Sequence, residues 1–153
     1  MKRIGAVLTI VAAVTAVIFW APAAYATDAT VPRDDIAAVM DAVPGGVLID
    51  ADHAEWPSIG MEMTSAEAVT TYSVGSCATG SVCAFSGSNL SGSKLSWSTC
   101  GTFTISAFTV RSIADARSTG YLQARNGTTV VATAYAGGSA NVFGTVTNVR
   151  CVS

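Results

Sequence analysis

The hydrophobic pattern begins with a predominantly apolar run from Ile4 to Trp20, which follows the basic residues Lys2 and Arg3. Pro22 and the small-residue triplet Ala24-Tyr25-Ala26 come soon after it. A basic end, a short apolar stretch and small residues at a cleavage position are typical of a secretory signal peptide, here residues 1–26. About 17 apolar residues are also fewer than a retained membrane anchor normally uses. We therefore expect a secreted, extracellular product without a membrane partner after cleavage.

The next stretch, residues 27–72, has a helical pattern followed by an alternating one. Ile36, Val39 and Met40 fall on one face of a predicted short helix, which Pro44-Gly45-Gly46 ends. Two short strands are predicted to form a hairpin across an acidic connection, and a linker follows them. These elements are Val47–Ile49, Met61–Met63 and residues 65–74.

From residue 73 to residue 153, short alternating runs rich in Ser, Thr, Gly and Val predict a β-domain. Turn residues separate the runs at spacings of about 8–12, which is the rhythm of a β-sandwich or barrel. Asn126-Gly127 predicts a hairpin with a type I′ turn, because that turn needs two residues with positive φ. The predicted strands are Ser81–Phe85, Lys94–Trp97, Gly101–Ile105, Thr109–Ile113, Tyr121–Arg125, Thr128–Tyr135 and Val142–Val149.

A faint internal repeat predicts that the β-domain has two parts. Thr109-Val110-Arg111-Ser112-Ile113 and Thr145-Val146-Thr147-Asn148-Val149 match in pattern 36 residues apart. A repeat of this length suits two four-stranded units packed face to face. Strands rich in Thr and Val also match by chance, and the sequence leaves both explanations open.

Charge divides the exported chain between the same two parts. Residues 27–72 contain nine acidic residues against Arg33 alone, a net charge of −8. Residues 73–153 contain five basic residues against Asp115 alone, a net charge of +4. The acidic part is either a pro-segment that covers the basic domain or a lead segment that its charges keep solvated. The basic residues are scattered without interleaved aromatics, so we expect no nucleic-acid partner.

The acidic part contains the only histidine, in the sequence Asp50-Ala51-Asp52-His53-Ala54-Glu55. Crowded oxygen and imidazole ligands can hold a metal, but no second cluster completes a coordination shell. An exposed acidic turn is the simpler interpretation, and we expect no metal and no cofactor. A Ser-His-acid triad would have to use His53, and the chain has no Gly-x-Ser-x-Gly elbow, so we do not expect an enzyme.

Four cysteines lie in the β-domain, at positions 77, 83, 100 and 151, and they predict a disulfide framework. From Ser76 to Gly92 the chain has the pattern Ser-Cys-x-x-Gly-Ser-x-Cys-x-Phe-Ser-Gly-x-x-Leu-Ser-Gly. This run closely resembles the opening of the peptidase inhibitor family typified by the Streptomyces metalloproteinase inhibitor. Arg111-Ser112-Ile113-Ala114-Asp115 fits a later step of the same family, and the resemblance extends to Cys151.

The resemblance implies an all-β, βγ-crystallin-like Greek-key sandwich, preceded here by the acidic segment with its short helix and hairpin. Phe85 and Gly92 match the aromatic and glycine positions of a Greek-key unit, and Ser112 matches its serine. The disulfides are then Cys77–Cys83 and Cys100–Cys151. The second pair departs from the family, whose type member has a closely spaced second pair that holds the reactive loop.

The family implies an exported protein that blocks a metallopeptidase by placing one rigid loop in its active site. Tyr135, beside a Gly-Gly turn, is a large residue that could fill a peptidase subsite, although a core or cross-strand position is the alternative. No reactive residue carries over by identity. The candidate inhibitory loop is Ala134, Tyr135, Ala136, Gly137 and Gly138.

Two functions therefore remain open for a protein that we expect to be a monomer. The first is inhibition of an extracellular peptidase. The second is a non-inhibitory crystallin-like extracellular binding or structural module, in which the missing loop disulfide reflects a lost activity.

Some βγ-crystallin relatives bind calcium through oxygen ligands that precede the Greek-key serine. With Ser112 as that serine, the leading positions are Ala107 and Phe108 and the penultimate one is Arg111. Three oxygen ligands are lost and a cation is added, so we expect no calcium there.

Overall fold

Two antiparallel sheets and one short helix form the structure, a computed structural model that describes residues 31–66 and 74–153. The all-β prediction is confirmed, while the predicted signal peptide and most of the predicted linker lie outside the described residues. Helix α1 spans Asp34–Ala42, and a 3₁₀ turn spans Pro57–Ile59. The strands are β1 Val47–Asp50, β2 His53–Trp56, β3 Met61–Thr64, β4 Val82–Phe85, β5 Lys94–Trp97, β6 Thr102–Thr104, β7 Ser112–Asp115, β8 Tyr121–Asn126, β9 Thr129–Tyr135, β10 Gly138–Asn141 and β11 Asn148–Val152.

The two sheets exchange strands. The larger sheet has the order β1-β2-β3-β5-β4-β7-β10, and the smaller has the order β6-β11-β8-β9. Strands β4–β7 and β8–β11 are thus two successive groups of four, and the third strand of each group, β6 or β10, lies in the sheet of the other group. The fourth strands begin at Ser112 and Asn148, at the same separation as the sequence repeat. The two-part organisation that the repeat predicted is present.

Residues 31–66 are built into the larger sheet. β3 pairs with β5 over four residue pairs, and the apolar residues Met61 and Met63 lie opposite Trp97 and Leu95. All four side chains are buried. The described residues of the acidic part therefore contribute strands to the sheet and apolar side chains to the core.

Helix α1 closes the core beside these added strands. Ile36 and Val39 are fully buried on its inner face, as the helical pattern predicted. Trp56 of β2 is also fully buried, and its Nε1 donates a hydrogen bond of 2.7 Å to the carbonyl oxygen of Val43, just after the helix. This bond satisfies the one polar atom that burying the indole would otherwise leave unpaired.

The predicted two-stranded hairpin of the acidic part is in fact a three-stranded meander, because β1 pairs with β2 and β2 pairs with β3. The acidic turn is correspondingly shorter than predicted. Ala54 and Trp56 of β2 are buried and alternate with the partly exposed His53 and Glu55. This period-2 alternation is the pattern of a half-buried strand, but the charges around it obscured the signal.

The hairpin between β8 and β9 is confirmed, but its predicted turn type is wrong. Asn126 pairs with Thr129, so Gly127 and Thr128 are the two turn residues. Gly127 has φ 58°, and Asn126 and Thr128 do not have positive φ. A type I′ turn needs positive φ at both central residues, whereas glycine at the first position alone is what a type II′ turn requires.

The predicted strand Val142–Val149 is also wrong. β10 ends at Asn141 and β11 begins at Asn148, and the residues between them cross from the larger sheet to the smaller one. Gly144 has φ 133°, which interrupts an extended strand. The preceding group behaves in the same way, since β7 begins at Ser112 rather than at Thr109.

Both expected disulfides are formed. Cys77–Cys83 lies in a small apolar cluster on the outer face of the larger sheet, and Cys100–Cys151 joins the segment before β6 to β11. Two disulfides indicate an oxidising, extracellular environment. Within residues 31–66 and 74–153, no helix is long and apolar enough to cross a membrane.

The contribution of α1 to stability can be tested with two identical substitutions in one segment. Val39 is 1 % exposed and Val31 is 78 % exposed. We expect Val39→Ala to lower the free energy of unfolding by about 2 kcal/mol, because it removes buried methyl groups and leaves a cavity. Val31→Ala should change it by less than about 0.5 kcal/mol. Urea denaturation measures both, and equal effects would contradict the packing of α1 described here.

The two disulfides should differ in their contribution to stability. In the loop-closure model, Cys100–Cys151, with a sequence separation of 51, contributes about 4 kcal/mol, and Cys77–Cys83, with a separation of 6, contributes about 2 kcal/mol. We expect the paired Cys→Ser variants to lose stability in that order in guanidinium denaturation. A larger loss from removing Cys77–Cys83 would show that packing around the outer cluster outweighs loop closure.

Candidate functional site

The predicted inhibitory loop is in the structure a short turn between two strands. Ala134 and Tyr135 are the last residues of β9, and Gly138 is the first residue of β10, so that Ala136 and Gly137 alone connect the two strands. The connection passes from the smaller sheet to the larger one. The five candidate residues are therefore brought together as a tight turn between strand ends.

Tyr135 is the most prominent side chain of this turn. It is 70 % exposed, whereas the preceding Ala134 is buried in the core. The register places Tyr135 directly across from Tyr121 of β8, and the two rings meet edge to face with centroids 6.2 Å apart. The cross-strand position weighed in the sequence analysis is correct, yet the ring remains accessible to a partner.

The backbone of the turn is held on one side. The amide N–H of Ala136 donates a hydrogen bond of 3.1 Å to the carbonyl oxygen of Gly120. Gly137 has φ 71°, a left-handed conformation that favours glycine. The turn carries no charged side chain, so what it offers a partner is one aromatic ring on a restrained backbone.

Ser112 makes the hydrogen bonds expected of a structural serine. It is fully buried, its Oγ donates to the carbonyl oxygen of Gly87 at 2.7 Å, and the same Oγ accepts from the amide of Leu90 at 2.9 Å. Both partners belong to the connection between β4 and β5, which folds over the outer face of the larger sheet. Ser112 therefore fixes this connection to β7.

The same connection has an unusual backbone that these bonds help to hold. Asn89 and Leu90 have φ of 56° and 61°, values that residues other than glycine seldom adopt. Asn89 is also bonded to Asn141 of β10: its amide N–H donates to the side-chain oxygen of Asn141, and the Asn141 Nδ2 donates to the Asn89 side-chain oxygen, both at 2.8 Å. The connection is thus tied to two strands of the sheet.

We expect Ser112→Ala to lower the free energy of unfolding by about 1–3 kcal/mol, because it leaves the partly buried amide of Leu90 and the partly buried carbonyl of Gly87 without this partner. Ser91→Ala is the matched control, since Ser91 is exposed and bonds only locally to the carbonyl oxygen of Ser88. Hydrogen exchange of residues 86–92 and thermal denaturation measure the two effects. Unchanged exchange in Ser112→Ala would show that the connection is held without this serine.

A second feature is a cleft at the opposite end of β10 from Tyr135. Its walls are the connection before β7 and the connection before β11, and its volume is about 370 Å³. Backbone hydrogen bonds join the walls at both ends: the Ile105 amide donates to Thr147 at 3.0 Å, and the Val142 amide donates to Arg111 at 2.8 Å. Most of the lining residues were predicted as parts of two strands, and Phe108 and Arg111 also as positions of a lost calcium pattern. The cleft itself could not be predicted, because it depends on two segments meeting from different sheets.

The lining of the cleft has an apolar floor and a polar rim. Phe108, Val110 and Val146 are buried beneath it. The rim has hydroxyl groups and one guanidinium but no carboxylate, and the exposed backbone of Gly144 completes it. The polar rim residues are Ser106, Thr109, Arg111 and Thr145.

The acidic turn between β1 and β2 is organised by internal contacts. The Asp52 carboxylate accepts a hydrogen bond from Ser65 Oγ at 2.6 Å and pairs with the Arg33 guanidinium. The bonds from Ser65 and Arg33 lower the pKa of Asp52 from its ordinary value. His53 lies 4.0 Å from a Glu55 carboxylate oxygen. Across the described ranges, no three His, Cys, Asp or Glu side chains group in a way that could hold a metal ion.

Comparisons of the chain with protein-family models, with curated proteins and with solved structures found no match.

Proposed function

We propose that the protein is an exported inhibitor of an extracellular peptidase, of the metallopeptidase class, and that it engages the enzyme with the end of β9 and the turn into β10. The observation that carries the proposal is the 70 % exposed side chain of Tyr135 at this turn. Tyrosine is one of the residues that contribute most to binding free energy at protein interfaces.

The support beneath Tyr135 favours tight binding. Ala134 is buried, Tyr121 packs against the ring, and the Ala136 amide is bonded to Gly120. A group already held in one conformation loses little entropy when it binds, and more of its contact energy then appears as affinity.

The strand arrangement supports a βγ-crystallin-like Greek-key fold for residues 74–153. Two groups of four strands exchange their third strands, and Ser112 holds the connection between the first two strands of its group. Gly92, the glycine of the family pattern, has φ 79°. These features are ones that the resemblance to the peptidase inhibitor family leads us to expect.

A non-inhibitory extracellular binding or structural module is the alternative. It is favoured by the connection between β9 and β10, which has only two residues. It is also favoured by the positions of Cys77–Cys83 and Cys100–Cys151, neither of which lies in that connection. A short turn reaches less deeply into an active-site cleft than a long loop does.

Titration of the chain from residue 27 against thermolysin-like, subtilisin-like and trypsin-like peptidases tests the proposal. We expect inhibition of a metallopeptidase, and we expect Tyr135→Ala to raise the inhibition constant by at least about tenfold. The melting temperature should change little, because the ring is mostly exposed. Phe143→Ala is the matched control: Phe143 is an aromatic residue 85 % exposed beyond the other end of β10, and its removal should leave inhibition unchanged.

Inhibition of none of the three classes at micromolar excess would favour the non-inhibitory module. Inhibition that Tyr135→Ala leaves intact would keep the activity and remove this turn as its site.

A further inference from the structure

We propose that the cleft between the connections before β7 and before β11 binds a ligand through an oxyanion group, which accepts hydrogen bonds from the Arg111 guanidinium and from threonine hydroxyls. The site is separate from the Tyr135 turn, because the two lie at opposite ends of β10. Its function does not depend on peptidase inhibition.

The sequence repeat explains how the cleft is built. Thr109-Val110 and Thr145-Val146 occupy the same positions in the repeat, three and two residues before the fourth strand of each group. Both pairs line the cleft, with the valines buried and the threonines exposed. Two related walls thus place equivalent hydroxyl groups on the rim, and the backbone bonds at each end hold the walls together.

Arg111 is the charged group of the rim and is available to a ligand. Among the described residues its guanidinium makes no hydrogen bond or ion pair. Arg117, by contrast, is paired with Asp115, and Arg125 donates to the carbonyl oxygen of Thr128. A guanidinium with several free donors binds carboxylate and phosphate groups well.

The remaining chemistry of the rim also selects an anion. Calcium needs several oxygen ligands, and these usually include carboxylates. No residue that lines this cleft carries a carboxylate. Hydroxyl groups can donate to an oxyanion beside the guanidinium. A volume of about 370 Å³ lies within the range of sites for small organic ligands, so the oxyanion can be part of a larger molecule.

The apolar surroundings indicate where the rest of such a ligand would lie. The floor is formed by Phe108, Val110 and Val146. Phe143, adjacent in sequence to Gly144 of the rim, is the most exposed large hydrophobic residue of the described chain. A sugar or peptide that carries the anion can cover this ring, which would give the exposed aromatic a function.

Nuclear magnetic resonance titration of the chain from residue 27 with sodium phosphate tests the inference, with sodium chloride at matched ionic strength as the reference. We expect saturable amide shifts confined to residues 105–111 and 142–147. Arg111→Gln should weaken binding by about tenfold or more, because it removes the charged donor. Thr109→Val combined with Thr145→Val should weaken binding less, since the guanidinium remains.

Arg150→Gln is the matched control. Arg150 is exposed on the outer face of β11, outside the cleft, and among the described residues it too has no ion pair. Its loss should leave phosphate binding unchanged. Titration with glucuronic acid and with a neutral methyl glucoside then distinguishes a carboxylate ligand from a phosphate ligand and both from simple sugar binding.

The inference would be overturned by phosphate shifts that do not saturate or that fall outside the cleft. It would also be overturned if Arg150→Gln weakened binding as much as Arg111→Gln, since this would indicate a general effect of surface charge. Shifts of the cleft amides with calcium chloride in place of phosphate would show that the site takes a cation.

Discussion

The pairing of β3 with β5 joins residues 31–66 to the larger sheet and to the core beneath it. Without it, β5 would be the edge of the larger sheet, and Met61, Met63, Leu95 and Trp97 would lose the neighbours that bury them. Helix α1 is linked to this pairing, because its buried residues Ile36 and Val39 belong to the same hydrophobic core. Residues 31–66 are thereby part of the hydrophobic core through their apolar side chains, while the carboxylates of this described range lie at or near the surface.

The exchange of β6 and β10 between the sheets has a comparable effect on the functional surfaces. Because β10 lies in the larger sheet while β9 and β11 lie in the smaller, the chain must cross between sheets at both ends of β10. One crossing is the turn that presents Tyr135, and the other forms a wall of the cleft. The two proposed sites are therefore consequences of one topological feature, and a partner at one end leaves the other end open.

Several parts of the fold could be predicted because their signals are local. The spacing of Ile36 and Val39 identified the inner face of α1, and the alternation in Lys94–Trp97 identified β5 with its observed bounds. Asn126-Gly127 located a hairpin, although the turn is formed by Gly127 and Thr128. Strand β2 was not predicted, because charged residues surround its two buried residues, Ala54 and Trp56.

The crossings between sheets could not be predicted, because the local sequence of residues 142–147 contains no signal for the sheet that the next strand joins. They are rich in Val and Thr and favour an extended strand locally, yet in the fold they form a wall of a cleft opposite residues 105–111. The class of fold, the positions of most strands and the repeat could be inferred from the sequence, since these depend on side-chain pattern and backbone preference. Three features could be seen only in the folded chain: residues 47–64 belong to the larger sheet, Tyr135 is accessible, and Arg111 lines a cleft. Each of these depends on long-range pairing, because burial and exposure are set by the strands that come to lie beside a residue.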